Sequence, residues 1–207
     1  MLKNVHSNII DHLKKDPKLA EVINACSLDL IKEPRDVFTD LLRSIVSQQL
    51  STSAAATIYG RFINSLDEKL PIGDQILDKT IDELRLCGLS GQKANYIKNV
   101  VLHFDENNLY STDWDKWSDD EIVVELSKIK GVGKWTVEMI LMFSLHREDV
   151  LPLDDLIIKN NMVKMYDVKS EKKQLIVDLI EIAEKWRPYR SYACFYLWAA
   201  KNTNLFK

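Results

Sequence analysis

The chain has 207 residues, 46% hydrophobic and 29% charged, with a formal net charge of −3. That composition fits a soluble protein of one large domain or two small ones, and the low glycine (6) and proline (5) counts exclude a turn-rich all-β architecture. The negative balance also excludes a global positive field, so any nucleic-acid binding has to rest on a local patch.

Apolar residues recur at every third and fourth position almost throughout, with no period-two alternation, so the chain reads as all-α. In chain order the spacing predicts helices over 4–14, 17–26, 36–48, 51–65, 80–86, 91–104, 118–128, 134–145, 155–165, 171–185 and 189–201. The first, in MLKNVHSNIIDHLKKD, is amphipathic and lacks an apolar signal core. Ser51, Ser90 and Ser118 are predicted N-caps, the last with Glu121 as a capping box, and Gly88 ends a helix. Pro34, Pro71, Pro152 and Pro188 fall at connections or first turns. The irregular stretch DENNLYSTDWDKW, 105–117, is expected to separate two packed helical units. Cys26, Cys87 and Cys194 offer neither a zinc nor an iron–sulfur spacing and read as reduced thiols. No apolar stretch reaches the ~20 residues of a bilayer span. These features give the expectation of an intracellular protein with no membrane partner, in a bacterial cytoplasm or, if eukaryotic, a nucleus.

Residues 126–141 read LSKIKGVGKWTVEMIL. Leu126 and Ile129 close one helix face, Gly131-Val132-Gly133 turns, and Trp135 and Val137 open another. Glycine tolerates positive φ and close approach of a partner. Val132 plugs the gap between the helices. Amides after the turn point out of a helix N-terminus, which suits a phosphate, and Lys130 and Lys134 add charge. Downstream, DVLPLDDL places Asp154-Asp155 at a helix start. Two adjacent acids cannot both cap: one is the N-cap and the other complements the helix dipole, or, if Asp154 caps, Asp155 is free to face a cleft and orient or deprotonate a water or stabilise a developing cation. WRPYRSYACFYLW carries aromatics that cannot share one helix face: Phe195 and Tyr196 are expected inside, Tyr192 and Trp198 beside a pocket. Arg187 and Arg190 read as surface ion-pair partners on their own. Met139, one turn after Trp135, completes a soft apolar and aromatic patch.

Taken with SIVSQQLS and LCGLSGQKANYI, these motifs over residues 35–201 resemble the helix-hairpin-helix–GPD superfamily of DNA glycosylases, most closely its DNA-3-methyladenine glycosylase II branch. The resemblance implies one glycosylase domain over 1–207. It has two all-α subdomains with a cleft between them, the middle of the chain forming one and the terminal helices the other. It implies a monofunctional hydrolase that flips alkylated purines of the 3-methyladenine and 7-methylguanine type out of double-stranded DNA and leaves an abasic site. Asp155 matches the catalytic aspartate and Asp154 its capping neighbour. Trp135, Met139, Leu156, Trp198 and Tyr192 would line the base pocket. Gln48, Gln49 (the intercalating position), Ser51, Ser90, Lys93, Lys130, Gly131, Val132, Gly133, Lys134, Thr136 and Arg190 would contact DNA. Bifunctional members carry a lysine where this chain has Trp135, so no abasic-site lyase activity is expected. No cofactor or catalytic metal is implied, although a monovalent cation on the hairpin carbonyls fits the family. A monomer is expected. Two other readings stay open: a non-catalytic helix-hairpin-helix module that binds DNA structure, and a glycosylase for uracil, mismatched or oxidised bases.

Overall fold

A computed structural model of the chain describes residues 2–28, 36–67, 72–203 and 205; Pro34 and Pro71 lie outside them. Among the described residues the regular elements are all helical. In chain order they begin α1 (Leu2–Leu13), α2 (Pro17–Ala25), α3 (Val37–Ser47), α4 (Thr52–Asn64), α5 (Ile72–Asp78) and α6 (Ile81–Leu86). They continue α7 (Gly91–Glu106), α8 (Asp119–Leu126), α9 (Lys134–Phe143), α10 (Leu156–Tyr166), α11 (Lys172–Glu184) and α12 (Arg190–Ala199), with short 3₁₀ turns at Leu109–Ser111, Trp114–Lys116 and Ala200–Asn202. The short α5 escapes the sequence pattern. The chain divides into two compact units, Pro34–Leu145 and Met1–Glu33 with His146–Lys207.

The middle unit is built on α3, which packs against α4, α7 and α9. Its inward stripe, Leu41, Leu42, Ile45 and Val46, is buried, as are Phe62, Ile97, Phe104, Val137 and Leu141 from the helices around it. Each such side chain contributes about 1.5–3 kcal/mol of apolar burial. Local chemistry sets the helix starts. Asp36 caps α3 through Thr39 N (2.8 Å), and Ser51 and Ser90 cap α4 and α7. Ser118 and Glu121 form the expected capping box at α8, and Thr80 with Glu83 forms a second at α6. Gly88, at φ +100, ends the α6 segment. The stretch 105–117 does not divide the molecule as expected; it lies inside this unit. Tyr110 and Trp114 place their rings 5.4 and 6.4 Å from Phe104, so aromatic packing folds the segment onto α7.

In the other unit α12 packs against α2 and α10, with Cys194, Leu197, Ile158, Met162 and Trp186 fully buried. Asp16 ties the unit together. It caps α2 through Lys18 N (3.1 Å), accepts from the Trp186 indole N–H (2.9 Å) and the Tyr166 hydroxyl, and pairs with Lys185 Nζ at 3.0 Å. Burial alone would raise its pKa; the donors Tyr166, Trp186 and Lys185 outweigh it and hold the carboxyl below the ordinary range. The three cysteines are free thiols, two buried and one half-buried. No helix among the described residues is long and apolar enough to cross a membrane.

Candidate functional site

The turn between α8 and α9 is a helix-hairpin-helix whose two glycines do different work. Gly131 stands at φ +107, and a Cβ there would fall 2.2 Å from Tyr96 Cγ, so only glycine fits. Gly133 caps α9 from ordinary extended backbone (φ −95, ψ 168) and a Cβ there would meet nothing within 4 Å. The second glycine keeps the surface low without being required by the fold. The side chains of Gln48 (3.2 Å) and Asn99 (3.1 Å) donate to the carbonyls of Gly131 and Lys130, holding the turn to α3 and α7. Lys130, Gly133 and Lys134 are exposed, and Lys134 Nζ sits 3.5 Å from Glu138 Oε1. Val132 and Thr136 have buried side chains. Val132 is therefore a plug between helices, as its sequence position implied.

Beside the hairpin, α3, the α3–α4 connection and α9 enclose an open groove of about 640 Å³. It is lined by Gln48, Gln49, Leu50, Trp135, Met139 and Phe143 among others. Trp135 and Met139, one turn apart on α9, thus face the segment expected to enter the DNA stack. Trp135 is 41% exposed, far above the buried core. Gln49 is exposed at φ +58, a left-handed turn residue that lifts the connection clear of α3, and Leu50 is exposed next to it. Gln48 is half-buried and tied to the hairpin, which leaves Gln49 and Leu50 as the outward tips. Sequence reasoning missed Asp40, Arg43 and Ser144 on the groove walls. Asp40, Arg43, Ser44 and Ser47 form a polar stripe at helical spacing on α3, and that stripe was the available signal.

Several side chains expected at the DNA surface have partners inside the chain. Lys93 Nζ donates to the carbonyls of Val46 and Gln48, both at 2.7 Å. The ammonium satisfies the orphan carbonyls at the α3 C-terminus, and burial pushes its pKa below the ordinary lysine value. Ser51 and Ser90 are exposed, but their hydroxyls accept from Ala54 N and Lys93 N as caps. Arg190 turns its guanidinium onto Asp149, with Nε 2.7 Å from Oδ1, as the ion-pair reading of the bare sequence held. Asp149 has also drawn in Arg187.

The remaining site residues lie on α10 and α12, which are joined by the Asn161 side-chain amide donating to Leu197 O at 2.9 Å. Here the cap falls on the other acid. Asp155, not Asp154, is the cap: its Oδ1 accepts from Ile157 N (2.9 Å) and Ile158 N (3.0 Å), while Asp154 is exposed. The reason is register. The Asp155 carbonyl takes the first intrahelical bond, from Lys159 N at 3.0 Å, so its own side chain reaches the second and third helical amides and that of Asp154 cannot. Asp155 is 9% exposed and the direction of its carboxylate is set by two backbone donors. Leu156 is 66% exposed beside it. Tyr192 and Trp198 are half-buried and flank the ring of Phe195 at 6.1 and 5.9 Å, while Phe195 and Tyr196 pack inward as expected. The Tyr192 hydroxyl donates to Glu148 Oε1 at 3.0 Å, and burial together with that carboxylate pushes its pKa up to about 12. Among the described residues no cluster of His, Cys, Asp or Glu is placed to hold a metal.

A helix-hairpin-helix with an open aromatic groove beside it, in a chain whose regular elements among the described residues are all helical, defines a class. The chain belongs to the HhH-GPD superfamily of base excision DNA repair proteins, whose family model matches residues 42–188. It is 34% identical over 80% of its length, and 73% of the relative's, to DNA-3-methyladenine glycosylase 1 of Schizosaccharomyces pombe. Among solved structures it is similar to that organism's 3-methyladenine DNA glycosylase Mag1 in complex with abasic DNA, with TM-score 0.78 and 30% identity, covering 97% of this chain and 100% of the other. It is also similar to a DNA-3-methyladenine glycosidase of Bacillus halodurans, with TM-score 0.77 and 33% identity, covering 93% and 88%.

Proposed function

We propose that this chain is a monofunctional DNA glycosylase that removes alkylated purines of the 3-methyladenine type from double-stranded DNA by hydrolysis. The observation that carries the reading is the groove in which Trp135 and Met139 stand beside the exposed tip of Gln49 and Leu50. A nucleotide turned out of the stack costs a few kcal/mol. The tip fills the place it leaves, and the groove offers its base an aromatic wall. Alkylation at N3 or N7 makes the purine a cation, which an indole face attracts by about 0.5–2 kcal/mol and which is already a good leaving group. The phosphate backbone is assigned to the outward helix start at Gly133, with Lys130 and Lys134.

Asp155 is assigned to the sugar. As the glycosidic bond breaks, the sugar gains oxocarbenium character, and a carboxylate of fixed direction stabilises that charge and guides a water to C1′. No general acid is needed for a cationic base. Trp135 has no amine with which to form a Schiff base, which supports hydrolysis without strand cleavage. Release of free base from methylated duplex DNA, followed by a strand-cleavage assay, tests the reading. Wild type is expected to release 3-methyladenine and leave the abasic strand intact. Tight DNA binding with no release would support a non-catalytic module, and release of uracil or oxidised purines alone would move the lesion class.

A further inference from the structure

The groove beside Trp135 carries a charge for which the proposed chemistry has no role. Asp40, in the first turn of α3, lines the groove and is only 7% exposed. Its Oδ2 accepts from Ser144 Oγ at 2.7 Å, and Ser144, itself 4% exposed, closes the C-terminal end of α9. No lysine or arginine among the described residues forms an ion pair with Asp40. Arg43, one turn further along α3, holds its guanidinium carbon 4.9 Å from the centroid of the Tyr59 ring instead. The α3 dipole favours an acid in its first turn, but a partial charge and one hydroxyl donor are a thin supply for a carboxylate so deeply covered. The rest of the lining is mixed: Ser44, Ser47, Gln48 and Gln49 are polar but uncharged, and Leu50, Trp135, Met139, Ile140 and Phe143 are apolar, so none of them brings a counter-charge.

We propose that Asp40 is a specificity residue, supplying the negative charge and acceptor by which this groove selects a cationic, amino-bearing purine over its neutral isostere. The inference deepens the glycosylase reading and rests on the same groove. A positively charged ring brings Asp40 a counter-charge that no described residue supplies, and the exocyclic amine of an adenine supplies a charge-assisted hydrogen bond. A neutral purine does the reverse, since it displaces the water that solvates the carboxylate and returns no charge. Discrimination then comes from both terms, attraction of the damaged base and a penalty on the undamaged one. The indole face of Trp135 supplies only the first.

The test compares binding of 3,9-dimethyladeninium, a permanent cation, with neutral 9-methyladenine, by titrating the full chain and following the Trp135 indole resonance. Wild type is expected to bind the cation at least about tenfold more tightly, the scale of one charge-assisted contact. Asp40→Asn keeps an acceptor for Ser144 and loses the charge, so its preference should fall to near parity. Ser144→Ala loses the tie and keeps the charge, so it should melt lower and still prefer the cation. No preference in wild type, or an equal preference in Asp40→Asn, overturns the proposal; the second result would assign selection to the ring faces. Base excision is scored separately. A wild type that excises no alkylpurine yet shows a preference abolished by Asp40→Asn would sink the glycosylase reading and leave this one standing. Normal excision with no preference would do the opposite.

Discussion

The start of α9 and the start of α10 are both helix N-termini with amides to satisfy, and they are finished in opposite ways. At α10 the chain supplies its own anion, the Asp155 carboxylate, which takes the amides of Ile157 and Ile158. At α9 the cap is Gly133, which has no side chain to offer and nothing within 4 Å of where one would begin. The same partial positive charge, about half an elementary charge, is closed by a protein carboxylate in one place and has no side-chain cap in the other. One end can hold a phosphate because it has no acid. The other can hold a carboxylate rigidly because it does.

The contrast yields predictions. The largest effect belongs to Asp155→Asn. Asparagine caps a helix about as well as aspartate, so the melting temperature should hold within a few degrees while single-turnover release of 3-methyladenine falls by a factor of about 10² or more. A variant that excises at the wild-type rate would remove Asp155 from the chemistry. Next is Gly131→Ala against Gly133→Ala. The first forces a Cβ to 2.2 Å from Tyr96 Cγ at φ +107, and denaturant unfolding should show a loss of about 3 kcal/mol or more. The second should stay within about 1 kcal/mol in stability and weaken DNA binding instead. Equal stability losses would show that the two glycines are not divided between fold and ligand.

Trp135→Ala comes third. The side chain is 41% exposed, so stability should change little, whereas loss of a cation–π wall should lower excision of 7-methylguanine by roughly tenfold. Smallest is the pair Lys130→Ala and Lys93→Ala. Removing a phosphate contact reduces the slope of log affinity against log salt by about 1, and that is expected for Lys130 alone. Lys93→Ala should leave the slope unchanged and cost about 1–2 kcal/mol of stability, because two α3 carbonyls lose their donor. A shifted slope for Lys93→Ala would return that lysine to the DNA surface.

Much of this was legible in the sequence because it is local chemistry. Helix periodicity, the caps at Ser51, Ser90 and Ser118, the turn at Gly131 and the inward packing of Phe195 and Tyr196 follow from neighbours a few residues away, where short-range sterics and amide geometry decide. The cap at Asp155 rather than Asp154 is the instructive miss. Both residue types fit a cap, and only the register of the first hydrogen bond, set by the turn from Pro152 to Asp155, chooses between them. Tertiary structure decided the fate of the long side chains. Lys93 found carbonyls 45 and 47 residues away, and Gln48 one 83 residues away. Asp40 met Ser144 across 104 residues to place a carboxylate in the groove. A sequence states which donors and acceptors exist; which are satisfied inside the fold and which remain for a ligand depends on distances that only the packed chain fixes.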